Sequence, residues 1–453
     1  MLLTEHEIFI QAKEGHVDAL EKILSSLAGS LGNNQVPIRV AVTDSDRDGY
    51  HCEVGILDTD DPSVKQEVRN GFRFQKRPYA NNESFNVVFL VPTGIGAEIG
   101  GHSGDAGAVA RLLAACCDTL VTHPNVMNAA DINELPDNAL YVEGSVVSRL
   151  MMGSVGLQKV RSNRVLLVVD EKADPYFHGL AINSASAARA AMGLDCPMVL
   201  GMSDTVTMKS IYSKSGRAAG EIRNLDRLFE VLKANLYEFD AVALNTLIEV
   251  PARYHRDYFK RDTCLHVNPW GGVEAMLTHA LSLVLNVPCA HAPMMSSKEV
   301  MDLDFGIVDP RKAAEAVSTT YLHCVLKGLH RSPRIVPVHG LHDTKGLLTV
   351  ADISCLVIPD RCVGLPTLAA LEQGIKVIAV RENRNCMQND LRAYPFAGGQ
   401  LIIVENYLEA AGVLGALRAG VALDTVVRPL RDTHAIMNRS QNQIKEISSF
   451  GIA

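Results

Sequence analysis

Apolar residues in this chain come mostly in short continuous runs rather than in strict alternation. NVVFLV (86–91), DTLVTH (118–123), RVLLVVD (164–170), CPMVLGM (196–202), DAVALN (240–245), RIVPV (334–338), ISCLVI (353–358) and KVIAV (376–380) are each long enough for one strand. The stretches between them, 106–117, 180–193, 225–236, 272–285, 311–328, 366–373 and 405–418, carry helical patterning. Continuous apolar strands alternating with helices predict an α/β fold, a largely parallel sheet or sheets with helices on both faces, Rossmann-like, in one lobe or two. The organisation read from this rhythm is an α/β domain over 86–300 and a second α/β lobe over 301–453.

The first 85 residues differ. Residues 4–29 read as one or two surface helices, because Thr4 and Glu7 have capping-box spacing and Ile8, Ala12, Leu20, Ile23 and Leu27 form a stripe. Residues 37–57 read as a hairpin about Asp48-Gly49. Residues 58–85 read as irregular and mark a boundary. The region 1–85 is thus expected as a small α+β unit of helices and a hairpin.

Composition changes this picture little. The chain has 453 residues, 47% hydrophobic and 21% charged, which excludes a disordered or collagen-like protein. The net charge of −8, with no block of like charges, argues against a nucleic-acid partner. No apolar run is long enough to span a membrane, and the early Glu5, Glu7 and Glu14 do not fit a signal peptide, so a cytoplasmic protein with reduced cysteines is expected. The 34 glycines are an average number, but their distribution is not, with a cluster between Gly94 and Gly107.

Open parallel sheets bind ligands beyond the C-terminal ends of their strands, and four such loops carry chemistry. The first is PTGIGAEIGGHSGD (92–105). Thr93, Gly94, Gly96, Gly100, Gly101, His102, Ser103 and Gly104 form a backbone cradle suited to phosphate or carboxylate, with Asp105 as the N-cap of the next helix and a candidate proton carrier. The plainer reading is a tight strand-to-helix turn. The second loop holds His123, a candidate acid or base, with Asn125, Asn128 and Asp131; Asn and Asp turn bonds alone would also account for it. The third begins at His266 and holds Asn268, Trp270, Gly271, Gly272 and Glu274. Glu274 is favoured over His279 as the catalytic group, against the reading of a first-turn carboxylate favoured by the helix dipole. The fourth, PDRCVGLPT (359–367), resembles the donor-site turn of GT-B glycosyltransferases, although any late strand-loop-helix unit looks similar. Arg217 is a further anion-binding candidate. His339 and His342 have metal-like residue types but lack helical metal-site spacing, and no dinucleotide or metal signature stands out.

The segments PTGIGAEIGGHSGDA (92–106), THPNVMNAADIN (122–133), LYVEGS (140–145) and NPWGGVEAMLTH (268–279) together resemble an uncharacterised bacterial and cyanobacterial family, a domain of unknown function. The resemblance runs from about residue 36 through the last strand units. It implies a cytosolic globular protein and supplies no reaction. The leading expectation from the residues is an enzyme acting on a small anionic metabolite by acid–base, non-redox chemistry. The alternatives are a nucleotide-sugar transferase, an NAD(P)-dependent oxidoreductase, and a non-catalytic metabolite-binding protein. Cofactor and oligomeric state are not set by the sequence.

Overall fold

A computed structural model describes all residues except 13–15, 173, 204–205, 260–266, 303–304, 342, 439–443 and 447–453. The fold is α/β, built on two main sheets. Among the described residues, one sheet has six strands in the order Leu401–Val404, Lys376–Val380, Ile353–Pro359, Asn86–Phe89, Thr119–Thr122, Ala139–Tyr141. All its neighbouring pairs are parallel. Every residue of Asn86–Phe89 and Thr119–Thr122 is buried. Successive side chains point to opposite faces, so both faces are covered, which is why these strands read as continuous apolar runs. Helix Gly107–Ala114 packs with Tyr407–Arg418, and Gly144–Met151 with Leu365–Gln373, to supply that cover. From the middle of the sheet, chain order climbs outward in both directions. It reverses between Asn86–Phe89 and Ile353–Pro359, and such a reversal opens a crevice at the strands' C-terminal ends.

Among the described residues the other sheet has ten strands and is mixed. Val363–Gly364, Gln35–Ser45, Gly49–Asp58, Leu2–Gln11, Ala218–Arg223 and Thr207–Tyr212 pair antiparallel in that order. The parallel part follows: Ala241–Glu249 beside Thr207–Tyr212, then Arg164–Asp170 and Asp195–Met202, with Cys289–Met294 also on Ala241–Glu249. The N-terminal strands therefore share a sheet with residues 164–294, and the six-stranded sheet draws from 86–141 and 353–404. Helix Gly271–Leu285, apolar around nearly its whole circumference, lies between the sheets, packing on Ala218–Arg223 and on helix Gly144–Met151. Among the described residues, no helix is long and apolar enough to cross a membrane.

Four expectations are corrected. Residues 2–11 are a strand, not a helix, paired with Gly49–Asp58 along its full length, and the helix starts only at Ala19. The Thr4–Glu7 spacing misleads because Glu5 is held inside the sheet by Arg39 and Arg217 rather than solvated. The stretch 58–85 contains helix Pro62–Gly71, capped by Asp61, which accepts the Ser63 N–H at 2.8 Å. The helix expected over 311–328 is broken into Pro310–Lys312, Ala313–Val317 and His323–His330. Strand Arg334–Pro337 joins neither main sheet and pairs antiparallel with Val155–Gln158.

Candidate functional site

The glycine loop follows strand Asn86–Phe89 at the C-terminal edge of the six-stranded sheet. Several of its N–H groups, those of Glu98, Ile99, Gly100, His102 and Ser103, are already taken. Asp105 is not the N-cap, which is Ala106. Its Oδ1 turns back to accept from Gly100 (2.8 Å) and His102 (3.3 Å). The Ser103 N–H goes to Glu315 Oε1 at 2.8 Å and the Ile99 N–H to Asn383 Oδ1 at 2.9 Å. The chain's own carboxylates thus occupy part of the cradle expected for a ligand anion, at Gly100, His102 and Ser103. Burial pushes Asp105 up to about 7, against the N–H groups that favour its charged form. The glycine at 104 serves packing: φ is +62°, and a Cβ there would stand 2.1 Å from the Ala129 nitrogen. The Gly271-Gly272 junction behaves alike. Asn268 Oδ1 accepts from Trp270 (2.9 Å) and Gly271 (3.1 Å), and a Cβ on Gly272 would meet the Ala218 carbonyl at 2.1 Å.

Between these loops lies a cavity of about 100 Å³. It brings together Thr93, His102, Ser103, Gly104, His123, Asn125, Asn128, Asn268, Gly271 and Glu274, all expected at the site. It adds Glu143, Thr278, His279 and His291. The remaining candidates lie elsewhere. Gly94, Gly96, Gly100, Gly101 and Gly272 shape backbone without lining the cavity. Asp131 ties down the loop before His323, accepting from the hydroxyls of Ser318 and Thr320 at 2.6 Å each. Trp270 packs among His255, Tyr258 and Phe259, away from the cavity. Arg217 is buried in ion pairs with Glu5 (3.2 Å) and Glu53. Asn125 and Asn128 do loop stitching as well. Asn125 Nδ2 donates to the carbonyls of Val91 (2.9 Å) and Gly100 (2.7 Å), and Asn128 accepts from Tyr141 and Ser103. His266 and His342 lie outside the described residues, and His339 Nε2 meets the Arg73 guanidinium at 3.1 Å.

Four histidines border the cavity, and beside His102, whose Nδ1 meets the Tyr258 hydroxyl at 3.0 Å, the other three are in different states. His123 is buried, and its Nε2 accepts the Val91 N–H at 3.1 Å. Burial pulls its pKa to about 4, helped by His279 and opposed by Glu143. It is therefore a neutral ring with its proton on Nδ1, a donor rather than a base at pH 7. His291 is saturated, with Nδ1 on Glu274 Oε1 (2.9 Å) and Nε2 on the Thr246 hydroxyl (2.8 Å). His279 differs. Its Nδ1 rests against Glu143 Oε1, and Nε2 is the ring nitrogen left for the cavity.

Glu143 caps helix Gly144–Met151, its Oε2 accepting the Ser145 N–H at 2.8 Å and the Ser145 hydroxyl. Oε1 also receives the Thr278 hydroxyl at 3.2 Å. Burial alone would raise its pKa, but His279 and Ser145 outweigh that and hold it below the usual value. It stays a carboxylate and fixes the imidazole's orientation. Sequence reasoning passed over Glu143 although it ends a strand-to-helix turn in LYVEGS, the very position where other residues were sought. Glu315 was also missed. It sits on helix Ala313–Val317 and its Oε1 gathers Ser103 N–H, Tyr258 O–H (2.8 Å) and Asn268 Nδ2 (3.3 Å). Burial pushes its pKa up to about 7.

A family model described as a protein of unknown function, DUF3326, matches residues 86–427. A protein named an uncharacterised lipoprotein, from Synechococcus sp., is 34% identical over 343 residues, covering 75% of this chain and 92% of that protein. No solved structure matches.

Proposed function

The chain belongs to this DUF3326 family, which brings no reaction with it, and from its own side chains we propose an enzyme that moves protons on a small anionic metabolite by non-redox chemistry. The observation that carries this reading is the Glu143–His279 pair. A buried carboxylate orients one ring nitrogen and leaves the other facing a cavity, the arrangement a general acid or base needs. His123 Nδ1–H is the donor for a substrate oxygen, and Glu274, locked to His291, shapes the opposite wall. Anion recognition is not assigned to the glycine loop, where Asp105 and Glu315 already use the N–H groups of Gly100, His102 and Ser103.

The test is incubation of the purified chain with a metabolite pool, followed by mass spectrometry of what is bound and what is converted. H279Q and E143Q should each slow conversion by roughly 10²–10⁴-fold. Wild-type conversion by both variants would sink the assignment, and a metabolite released unchanged would mark a binding protein instead. One observation favours a second reading. The strand order of the six-stranded sheet is that of doubly wound dinucleotide-binding folds. The N–H groups that Asp105 and Glu315 take from the glycine loop count against it, and an unchanged melting temperature with NADPH would remove it.

A further inference from the structure

Beside the His279 cavity lies a second chamber of about 120 Å³, in the crevice where the strand order of the six-stranded sheet reverses. The two spaces share a wall of Thr93, His123, Gly144, Ala275 and His279. Their chemistry differs. The second chamber is lined by Ile38, Val40, Leu90, Leu283, Ile358 and Met387. An apolar cavity of about 150 Å³ holds a benzene ring, so this one admits an apolar group of roughly that size. Three arginines also line it, Arg39, Arg149 and Arg217. Arg39 and Arg217 are answered by Glu5 and Glu53. Arg149 is not. It is 4% exposed and bonds only neutral oxygens, Asn286 Oδ1 at 2.7 Å and the Ser282 carbonyl at 2.9 Å. Among the described residues its Nε–H has no acceptor, as is also true of Arg217 Nε, whose guanidinium is nonetheless ion-paired. Burial lowers its pKa to about 10, which still leaves a cation at pH 7. Buried polar groups are normally paired, so a buried cation with an idle donor at the edge of an apolar chamber calls for an acceptor from outside the chain.

We infer that the substrate is amphipathic: a phenyl-sized apolar group carrying a carboxylate or phosphate, the apolar part filling this chamber and Arg149 answering the charge. The inference rests on the acid–base reading, in that the reacting atoms then lie across the shared wall at His279.

Calorimetric titration of the full chain at pH 7 with benzoate, phenyl phosphate, acetate, inorganic phosphate and benzyl alcohol tests it. Benzoate or phenyl phosphate should bind at least tenfold tighter than the other three, and the tighter of the two identifies the anionic group. R149M should bring the aromatic anions down to the level of benzyl alcohol. L90F should weaken all aromatic probes by narrowing the chamber, with V40L in its place if L90F does not melt cooperatively. Acetate or inorganic phosphate binding as tightly as the aromatic anions, or R149M leaving benzoate unchanged, would overturn the inference. E143Q separates the two claims. It should keep benzoate bound at least as tightly as the parent, since the Glu143 charge acts on Arg149, while conversion is lost. Unaltered conversion in E143Q, with benzoate still bound, would remove the acid–base reading and leave the chamber standing.

Discussion

Gly104 offers a way to separate backbone conformation from packing in the glycine loop. Its φ of +62° nearly equals the +65° of Gly193, the residue that closes helix Pro175–Met192. An alanine at either position is forced into the left-handed region, at about 1–2 kcal/mol. At Gly193 nothing lies within 4 Å of the added carbon, so the cost ends there. At Gly104 the carbon would stand 2.1 Å from the Ala129 nitrogen and 2.3 Å from the Asn128 carbonyl carbon. Both atoms must retreat by more than an ångström to reach van der Waals distance. Ala129 N–H is bonded to Ile132 O at 3.1 Å, and Asn128 O receives the Ser103 hydroxyl at 2.9 Å, so the retreat strains both bonds. Overpacking adds about 1–3 kcal/mol, which brings G104A to about 2–5 kcal/mol against 1–2 for G193A. Thermal melting of the two variants beside the parent chain measures the difference, with G104A expected to lose roughly twice as much in midpoint. Equal losses would show that Gly104 is not there for close packing, and would return the loop to a ligand-binding role.

The other expectations concern buried charge. Glu315 has a folded pKa raised to about 7 from 4.5. The folded chain therefore keeps a proton that the unfolded chain releases, and this stabilisation is fully present below about 4.5 and lost as pH rises through 7. Because only Oε1 receives the hydrogen bonds given above, E315Q should hold the same partners and make the melting-temperature profile between pH 5 and 8 shallower, Asp105 supplying the slope that is left. A profile as steep as the parent's would refute the assignment. For the Glu5–Arg39–Arg217–Glu53 cluster, E5Q leaves one buried cation too many and should destabilise the chain by about 3–5 kcal/mol, with R39M in the same chain recovering part of the loss. Chemical denaturation of the single and double variants measures this, and strictly additive losses would count against coupling.

How much of this was legible in the sequence depended on whether each residue's role was local. Runs such as NVVFLV and KVIAV declare strands because both faces of the parallel sheet are covered, so every position is apolar. The strand Leu2–Gln11 hides itself. Leu3 and Ile10 are its fully buried residues and fall on opposite parities, while Glu5 is buried through partners more than thirty and two hundred residues away. The strand-tip rule located the cavity through Thr93, His123, Asn128 and Glu274 because these follow strands or open a helix at one sheet edge. It did not foresee that the clustered glycines serve backbone contact with Ala129 and Ala218. Nor did it bring His279 forward. Spacing along helix Gly271–Leu285 separates His279 from Glu274 but says nothing of Glu143, which arrives from another strand. The apolar chamber was invisible for the same reason, since its walls come from Ile38, Leu90, Leu283 and Ile358, each an ordinary core residue in its own segment.

The two-residue strand Val363–Gly364 has a mechanical meaning. It leaves the end of strand Ile353–Pro359 in the six-stranded sheet and pairs with Ala41 and Val42 at the edge of the ten-stranded one. Asn389 adds a bond to the Val42 carbonyl at 2.8 Å, and Ala218 N–H joins the Gly94 carbonyl at 2.9 Å on another side of the chamber. The two sheets are thus laced together by main chain around the space they enclose. Such a chamber is a socket rather than a jaw. A guest must pass through it by local movement of side chains and loops, and the free chain and the loaded chain should have nearly the same radius of gyration.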